Sequence, residues 1–554
     1  MKKLILIAAV IIGIAAAAAS SDGRAQKEKF ARKLSTFSSI VKELQTNYVD
    51  TLDATSIMDK TIGALLYQID PYTEYYPADN QDEILSLSSG KYAGVGSLIS
   101  RHGNDVIFAE PMWDSPARRA GVRAGDKILV INGDTITEKT PIDEVSKRLR
   151  GQAGTELTVD ICRPYTSDSL ITVKIVREDI KVHPVPYFGV DSTGIGYIAL
   201  TTFNENSARD MRDGILSMMH DPSLKGIVID LRGNGGGLLE SAVQIASYFV
   251  PKGTEIVRTR GRNAQDERIF KTTRQPLDTK VPLAILVDGG TASSSEILSG
   301  SMQDLDRAVI VGERSFGKGL VQTTRPLPYD DILKITTGRY YIPSGRLIQA
   351  LDYSRRNPDG SPARTPDSLT NEFSTKAGRI VRDGGGITPD VSVSLPESNR
   401  LLYNIVTDQW AYDFVTKYVA TNPAPESPAD LKVTEEMFED FKKSIDPARF
   451  KYDRQTESAL KILRETAKSE GYLTDSVAAQ LDLLGTLLKH DLNHDLDLNR
   501  NEIKEILDTE LASRYFSDAD RVARTLPSDS VLLKAREILL DPARYSAILS
   551  KPKK

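Results

Sequence analysis

The chain has 554 residues and a net charge of −5. This length suffices for several domains, and the mildly acidic charge gives no nucleic-acid-binding footprint. A single cysteine, Cys162, excludes an intramolecular disulfide, and the five histidines show no spacing that predicts a zinc site.

The N-terminus predicts export. Two lysines follow the initiating methionine, residues 4–19 are apolar, and residues 20–22 are small or polar. This order is typical of a signal peptide, although an uncleaved membrane anchor is an alternative. Export of a chain without disulfides favours the bacterial periplasm or cell envelope. The apolar run is not followed by a cysteine, which argues against a lipoprotein.

A helical pattern follows the signal segment and extends over residues 26–90. Its apolar side chains recur at helical spacing up to Asp70 and Pro71. They are Phe30, Leu34, Phe37, Ile40, Val41, Leu44, Ile57, Ile62, Leu65, Leu66 and Ile69.

Residues 91–180 predict a small strand-rich module. A short helix opens at Pro116 and closes at Gly121, and a later strand turns at Asn132 and Gly133, which is a strong hairpin signal. The stretch between these turns contains the pattern Ala-Gly-Val-x-x-Gly-Asp-x-Ile-Leu-x-Ile-Asn-Gly and resembles a PDZ domain of the bacterial protease type.

The PDZ resemblance implies peptide binding. Such domains take an extended peptide as an added strand and hold its terminal carboxylate in a nest of backbone N–H groups. Here the implied nest consists of Ala93, Gly94, Val95 and Gly96.

A glycine-rich turn follows a buried strand at residues 226–231. The turn spans residues 232–237 and leads into an apolar helix at residues 238–250. Its backbone N–H groups could cradle a phosphate or complete an oxyanion hole. A dinucleotide fingerprint fits poorly because Leu238 stands where its last glycine would be, and no Walker A motif occurs.

A second strand-to-helix turn carries a candidate nucleophile. The buried strand at residues 283–287 breaks at residues 288–290, and an apolar helical stripe begins at Ile297. Ser293 thus lies near the first helical turn, where unpaired N–H groups can face a developing oxyanion. Ser294 and Ser295 are adjacent candidates, and a serine-rich helix start is also typical of simple capping.

A lysine flanked by glycines offers a base. Lys318 lies between Gly317 and Gly319, after a predicted strand at residues 308–312. Burial lowers the pKa of a lysine, and a neutral amine can activate a serine hydroxyl. Gln322 could then orient the amine. The two candidates are 25 positions apart, so the Ser-x-x-Lys spacing is absent and their meeting must be tertiary.

These segments resemble the carboxy-terminal processing peptidases, also called tail-specific proteases, of the S41 serine peptidase class. Residues 291–297, 316–322 and 230–237 match the family motifs in order and spacing, with small departures at Thr291, Ser294 and Gly235. The resemblance implies Ser293 as nucleophile, Lys318 as general base, Gln322 as its orienter, backbone N–H groups of Ser294 and of Gly236 or Gly237 as oxyanion donors, and Asp304 in a supporting role.

The alternation of buried strands and helices predicts an α/β multidomain protein. The resemblance implies a crotonase-like core with an inserted PDZ domain, an N-terminal region that helps some relatives to dimerise, and a C-terminal helical extension for assembly or for shaping access to the site. The predicted domains are a signal peptide (1–25), an N-terminal helical region (26–90), a PDZ domain (91–180), a peptidase core (181–396) and a helical extension (397–554).

The sequence therefore predicts an exported serine endopeptidase that recognises C-terminal or unfolded segments of protein substrates and cleaves through an acyl-enzyme, without a cofactor or metal. The alternative is a PDZ-containing scaffold on a silent peptidase fold, against which the presence of Ser293, Lys318 and Gln322 argues. A relative of the signal-peptide-peptidase or ClpP type is a third reading, and the embedded PDZ domain argues against it.

One acidic stretch imitates a calcium loop. Its six oxygen-bearing residues occupy the expected places, but Leu496 replaces the required glycine, so a solvated helix is the preferred interpretation. The six are Asp491, Asn493, Asp495, Asp497, Asn499 and Glu502.

Overall fold

The computed structural model describes residues 27–78, 81, 91–166, 170–394, 399–452 and 454–550. The predicted signal segment lies outside them. The chain divides into two compact units, one made of residues 1–79 with 322–336 and the other of residues 80–321 with 337–554.

The first unit begins with two helices and a strand: α1 (27–47), α2 (Ala54–Tyr67) and β1 (Glu74–Tyr76). Asp53 caps α2 by accepting the N–H of Ser56 at 3.0 Å. The strand departs from the predicted helical pattern, because β1 pairs antiparallel with residues 332–334. The hydroxyl of Tyr75 also donates to Asp331 at 2.6 Å.

The predicted PDZ module forms a mainly antiparallel sheet in the order β3-β4-β5-β7-β8. Its elements are β2 (Lys91–Gly94), β3 (Ser97–His102), β4 (Asp105–Pro111), α3 (Pro116–Arg119), β5 (Lys127–Ile131), β6 (Asp134–Thr135), α4 (Ile142–Leu149), β7 (Glu156–Cys162) and β8 (Leu170–Val176). The predicted helix and hairpin are confirmed: Ser115 caps α3, and Asn132 and Gly133 turn with φ of 51° and 92°.

The core continues the chain with alternating strands and helices. They are β9 (Glu178–Lys181), β10 (Phe188–Val190), β11 (Ile195–Ala199), α5 (Ser207–Met219), β12 (Gly226–Asp230), α6 (Leu239–Ala246), β13 (Glu255–Gly261), β14 (Arg268–Lys271), β15 (Leu283–Val287), α7 (Ser294–Asp304) and β16 (Val309–Gly312). The predicted helix after the glycine-rich turn is shorter than expected, because it ends at Ala246.

Seven further strands complete the β structure: β17 (Leu320–Pro326), β18 (Ile332–Tyr341), β19 (Leu351–Arg356), β20 (Pro362–Arg364), β21 (Glu372–Ser374), β22 (Ile380–Arg382) and β23 (Val391–Ser392). The end of β18, at residues 338–341, pairs antiparallel with β13. β23 joins the edge of the central sheet beside β16.

Ten helices follow in the described residues after 399. They are α8 (Arg400–Thr407), α9 (Trp410–Thr421), α10 (Glu435–Ser444), α11 (Gln455–Ser469), α12 (Asp475–Leu487), α13 (Leu492–Leu498), α14 (Arg500–Tyr515), α15 (Asp518–Thr525), α16 (Ser530–Leu539) and α17 (Pro542–Leu549). Helices α8–α10, α13 and α14 share an apolar core around Phe438 and Phe441. This domain contacts the PDZ module, where Arg521 pairs with Glu110 at 2.7 Å.

The central sheet has the order β10-β11-β12-β15-β16-β23 and is parallel except for β10. Successive side chains of its strands point to opposite faces, and both faces are covered. Ile227, Ile229 and Ile285 pack in one core with residues of α5, α6 and α7. The opposite face, which includes Val228 and Leu286, packs against α16 and is flanked by α17. The last two helices thus belong to the packing of the central sheet.

Candidate active site

Ser293 stands at the turn between β15 and α7, as the residue that caps α7. Its backbone has φ of 57° and ψ of −118°. A positive φ is uncommon in a residue other than glycine and often marks a functional turn. The preceding turn is fixed by Asp288, whose carboxylate accepts the N–H groups of Gly233 and Gly290 at 2.9 and 3.0 Å. Ser293 itself is half-buried.

The two neighbouring serines have different environments. Ser294 Oγ donates to the carbonyl oxygen of Gly237 at 2.8 Å, and Ser295 Oγ donates to that of Asn234 at 2.8 Å. Both side chains are buried. Their hydroxyl protons therefore join α7 to the glycine-rich turn, which distinguishes Ser293 among the three candidates.

Lys318 lies on a turn whose glycines are required by close packing. A Cβ on Gly317, which has φ of +88°, would stand 2.4 Å from Ala350 Cβ, and one on Gly319 would stand 2.9 Å from the backbone nitrogen of Gln349. No other residue type fits without a shift of the chain. Lys318 itself is half-buried between them.

Glu296 connects the serine turn to the lysine turn. Its buried carboxylate accepts the backbone N–H of Ser293 at 2.9 Å and those of Gly317 and Lys318 at 2.8 Å each. Ser315 Oγ donates a fourth hydrogen bond at 2.5 Å. Burial raises the pKa of Glu296 to about 7, against these four hydrogen bonds, which favour the ionised carboxylate.

Sequence reasoning did not find Glu296. The signal was present, because a serine followed by a glutamate three positions later at a helix start is a capping-box spacing. Ser293 caps helix α7, and Glu296 stands three positions after it. The spacing predicts only the local hydrogen bond to Ser293, and not the two hydrogen bonds from residues 317 and 318.

The glycine-rich turn lies directly against Ser293. A Cβ on Gly236 would stand 2.7 Å from Ser293 Cβ and 2.9 Å from the backbone nitrogen of Ser294. The N–H of Gly236, a predicted oxyanion donor, donates to Asn234 Oδ1 at 2.9 Å. Gly237, the alternative donor, has φ of +140° and packs on the carbonyl of Phe203.

An ion-pair network anchors this turn at its start. Arg232 pairs with Asp230 at the end of β12 and with Asp529, whose Oδ1 lies 3.1 Å from Arg232 Nη1. Asp529 also caps α16 by accepting the N–H groups of Val531 and Leu532. Tyr197 completes the network by donating to Asp230 at 2.7 Å. The C-terminal helices therefore hold one end of the glycine-rich turn.

Gln322 belongs to the first unit, unlike Ser293 and Lys318. Its Nε2 donates to Thr336 Oγ1 at 3.1 Å. The oxygen of a glutamine amide is a hydrogen-bond acceptor. The orienting contact with Lys318 stays a prediction.

Asp304 lies at the far end of α7. Its carboxylate pairs with Arg346 at 2.9 Å and accepts the N–H of Ser344 at 2.9 Å, and both charged side chains are 1% exposed. Burial raises the pKa of Asp304, while Arg346 lowers it. This position fits a supporting role in which Asp304 fixes α7 to the loop after β18.

The predicted peptide site lies at one edge of the PDZ sheet. Among the described strands, β3 has β4 as its only partner, and α4 packs beside it. Ala93 and Gly94 belong to β2, which pairs with β9, so only Val95 and Gly96 form the turn before β3. Gly96 has φ of 70° and packs against Ser115.

The acidic stretch that imitates a calcium loop is helical, as α13 and the start of α14. Asp497 pairs with Lys442 and Arg500, and Asp495 lies 2.7 Å from His490 Nδ1. The residues that the structure describes contain no group of three or more ligand-type side chains that could hold a metal ion. Nor do they contain a helix long and apolar enough to cross a membrane.

Three family models match the chain. "Peptidase family S41" matches residues 194–355, "PDZ domain" matches residues 107–163, and "Probable PDZ-protease, C-terminal helical domain" matches residues 401–539.

Similar proteins carry corresponding names. A carboxy-terminal-processing protease of Bartonella bacilliformis is 38% identical over 323 residues, which are 58% of this chain and 73% of that protein. A probable CtpA-like serine protease of Staphylococcus aureus is 33% identical over 57% of this chain and 62% of its own length. The solved photosystem II D1 C-terminal processing protease is 27% identical and superposes with a TM-score of 0.36, covering 65% of this chain and 86% of that one.

Proposed function

Because the chain belongs to the carboxy-terminal-processing proteases of peptidase family S41 and carries a PDZ domain, we propose that Ser293 and Lys318 form its catalytic dyad. The observation that carries the proposal is that one side chain binds both residues: the buried carboxylate of Glu296 accepts the backbone N–H of Ser293 and the backbone N–H of Lys318. The commitment of the hydroxyls of Ser294 and Ser295 to backbone carbonyls supports Ser293 as the nucleophile.

In the proposed reaction, neutral Lys318 Nζ takes the proton of Ser293 Oγ as that oxygen attacks the substrate carbonyl carbon. The tetrahedral intermediate places its negative charge near the N–H of Ser294. As the peptide C–N bond breaks, the Lys318 ammonium returns the proton to the leaving amine. Water, deprotonated by Lys318, then hydrolyses the acyl-enzyme and regenerates the serine hydroxyl.

A second oxyanion donor comes from the glycine-rich turn in this proposal. Gly236 is close enough to Ser293 for this role, and its N–H donates to Asn234 Oδ1 before substrate binds. The oxyanion would take over or share that hydrogen bond. Gly237 is the alternative donor on the same turn.

The proposed substrates are proteins with accessible C-terminal or unfolded segments. Among the described strands, the edge of β3 beside α4 has no partner, which supports addition of an extended peptide as a new strand with its carboxylate at the turn formed by Val95 and Gly96. A fluorescent peptide with a free C-terminus should bind more tightly than the same peptide with a C-terminal amide. Equal affinities would contradict recognition of the carboxylate.

We also propose that the protein acts outside the cytoplasm, in the periplasm or cell envelope, because its first residues have the order of a signal peptide. Cell fractionation of the full-length chain, followed by N-terminal sequencing, tests this. Recovery of an unprocessed chain in the cytoplasm would contradict it.

The dyad is tested by incubating the protein from residue 26 onward with an unstructured polypeptide and following fragments by mass spectrometry. Ser293→Ala, Lys318→Ala and Lys318→Arg should fold and yield no fragments, because arginine cannot act as a neutral base. Ser299→Ala is the matched control, since Ser299 lies on α7 and bonds only to the helix backbone at Ser295. Wild-type turnover by Ser293→Ala or by either lysine variant would reject the dyad.

A further inference from the structure

Tyr340 touches the backbone of both proposed catalytic residues. Its ring is buried near the end of β18, with 1% of the residue exposed. The hydroxyl lies 3.1 Å from the carbonyl oxygen of Ser293 and is also hydrogen-bonded to the carbonyl oxygen of Lys318. The single hydroxyl proton is therefore shared between the two carbonyls, or donated to each in turn.

The backbone of Tyr340 is fixed as well. Its N–H donates to the carbonyl oxygen of Gly319 at 3.0 Å, directly after the lysine. On the other side, Tyr340 pairs with Thr259 of β13 in an antiparallel ladder. The hydroxyl thus projects from a strand that is itself held at the lysine turn.

Glu296 and Tyr340 act on opposite sides of the same two residues. Glu296 accepts the N–H of Ser293 and of Lys318, and Tyr340 donates to their carbonyl oxygens. The peptide groups before and after each residue are thereby tied to shared partners.

We propose that Tyr340 is a positioning residue that sets the separation of Ser293 Oγ and Lys318 Nζ through the two backbones. The inference rests on the proposed dyad. A lysine side chain has a flexible four-carbon stem. The position of its amine therefore depends on the position of the backbone atoms from which the stem extends. A displacement of about 1 Å between reacting groups can lower a rate by about a hundredfold.

The test is Tyr340→Phe, which removes only the hydroxyl and keeps the ring that fills the core. The matched control is Tyr341→Phe on the same strand, where the ring faces Arg260 at 4.7 Å. Active sites are counted with a serine-directed fluorophosphonate, and kcat per active site, KM and Tm are measured. We expect kcat of Tyr340→Phe to fall about ten- to a hundredfold with KM within about twofold, while Tyr341→Phe behaves as wild type.

A merely structural role would lower Tm and the number of active sites but leave kcat per active site unchanged. As a rescue, 4-aminophenylalanine at position 340 restores an N–H donor at the same place and should return kcat toward wild type. A folded rescue variant that stays as slow as Tyr340→Phe, or a Tyr340→Phe variant with wild-type kcat, would overturn the inference. The Lys318→Ala variant distinguishes the two proposals. Proteolysis by Lys318→Ala would reject the dyad itself. An inactive Lys318→Ala together with a Tyr340→Phe variant of wild-type kcat would reject only the positioning role.

Discussion

Gly236 and Ser293 are packed so closely that a Cβ added to the glycine would stand 2.7 Å from the serine Cβ. Real Cβ atoms do not approach a neighbour to this distance, and the φ of Gly236, +102°, is one that other residues rarely adopt. Ser293, the proposed nucleophile, and the glycine-rich turn therefore form one packed unit with no room for a side chain at position 236.

The first prediction follows from this contact. Gly236→Ala should push Ser293 or the turn aside and lower kcat by about a hundredfold or more, because the proposed nucleophile and a proposed oxyanion donor move together. The neighbouring Gly235→Ala is the control, since a Cβ there meets no atom within 4 Å. Steady-state kinetics of both variants, with circular dichroism to establish folding, makes the comparison. Equal losses in the two variants would contradict it.

Glu296 predicts a pH dependence of stability. Burial raises its folded pKa to about 7, above the value near 4.5 of an ordinary glutamate. The folded state therefore binds more protons between these values, so the contribution of Glu296 is fully present below pH 4.5 and is lost as the pH rises through 7. The 2.5-unit difference corresponds to roughly 3 kcal/mol.

Guanidinium unfolding at pH 4.5 and pH 8 checks this dependence with Glu296→Gln. The variant should be less stable at both values because it leaves buried N–H groups unpaired, and its deficit relative to wild type should shrink by roughly 3 kcal/mol at the higher pH. Glu240→Gln, an exposed change on α6, is the control and should follow wild type. A deficit that is constant with pH would show that Glu296 does not titrate in this range.

Asp529 should affect catalysis from the C-terminal end of the chain. Asp529→Asn keeps an oxygen to cap α16 but removes the charge that pairs with Arg232 at the start of the glycine-rich turn. We expect kcat to fall roughly two- to thirtyfold, the range of couplings carried by such networks. Asp541→Asn makes the same change at the cap of α17 and should leave kcat unchanged. The prediction fails if the two variants have the same kcat.

Asp304 should affect stability more than chemistry. Asp304→Asn leaves the buried guanidinium of Arg346 without its partner charge, which costs about 3–5 kcal/mol of unfolding free energy. Asp367→Asn breaks an exposed pair with Arg314 and should leave the unfolding free energy nearly unchanged. Denaturant unfolding of both variants measures the difference. Equally small losses of unfolding free energy in the two variants would mean that the buried pair of Asp304 and Arg346 contributes little to stability.

Much of the core could be predicted from local sequence. The strands at 226–230 and 283–287 are short apolar runs closed by glycine-rich turns, and such runs are typical of buried parallel strands. The same turns marked Ser293 and Gly236. Their contact could not be predicted, because it depends on the adjacency of β12 and β15 in the sheet and not on spacing along the chain.

The remaining features depend on tertiary partners. Helix α16 has an apolar stripe that includes Val531, Ala535 and Ile538, and a stripe predicts an amphipathic helix without saying which surface it covers. Glu74–Tyr76 becomes a strand only because residues 332–334 lie beside it. The sequence does not distinguish Tyr340, because tyrosine is common in strands. Only its hydrogen bonds to the carbonyl oxygens of Ser293 and Lys318 make it unusual.

The position of α16 also has a consequence for the nascent chain. Five of the six strands of the central sheet have been made by residue 312 and the sixth, β23, by residue 392, yet the helix that covers the second face of the sheet begins at residue 530. At about 5–20 residues per second, translation from residue 312 to residue 530 takes roughly 10–45 s. During that interval the second face of the sheet lacks its covering helix and the glycine-rich turn lacks Asp529, so a ribosome-bound chain exposes the apolar residues that α16 buries in the finished fold.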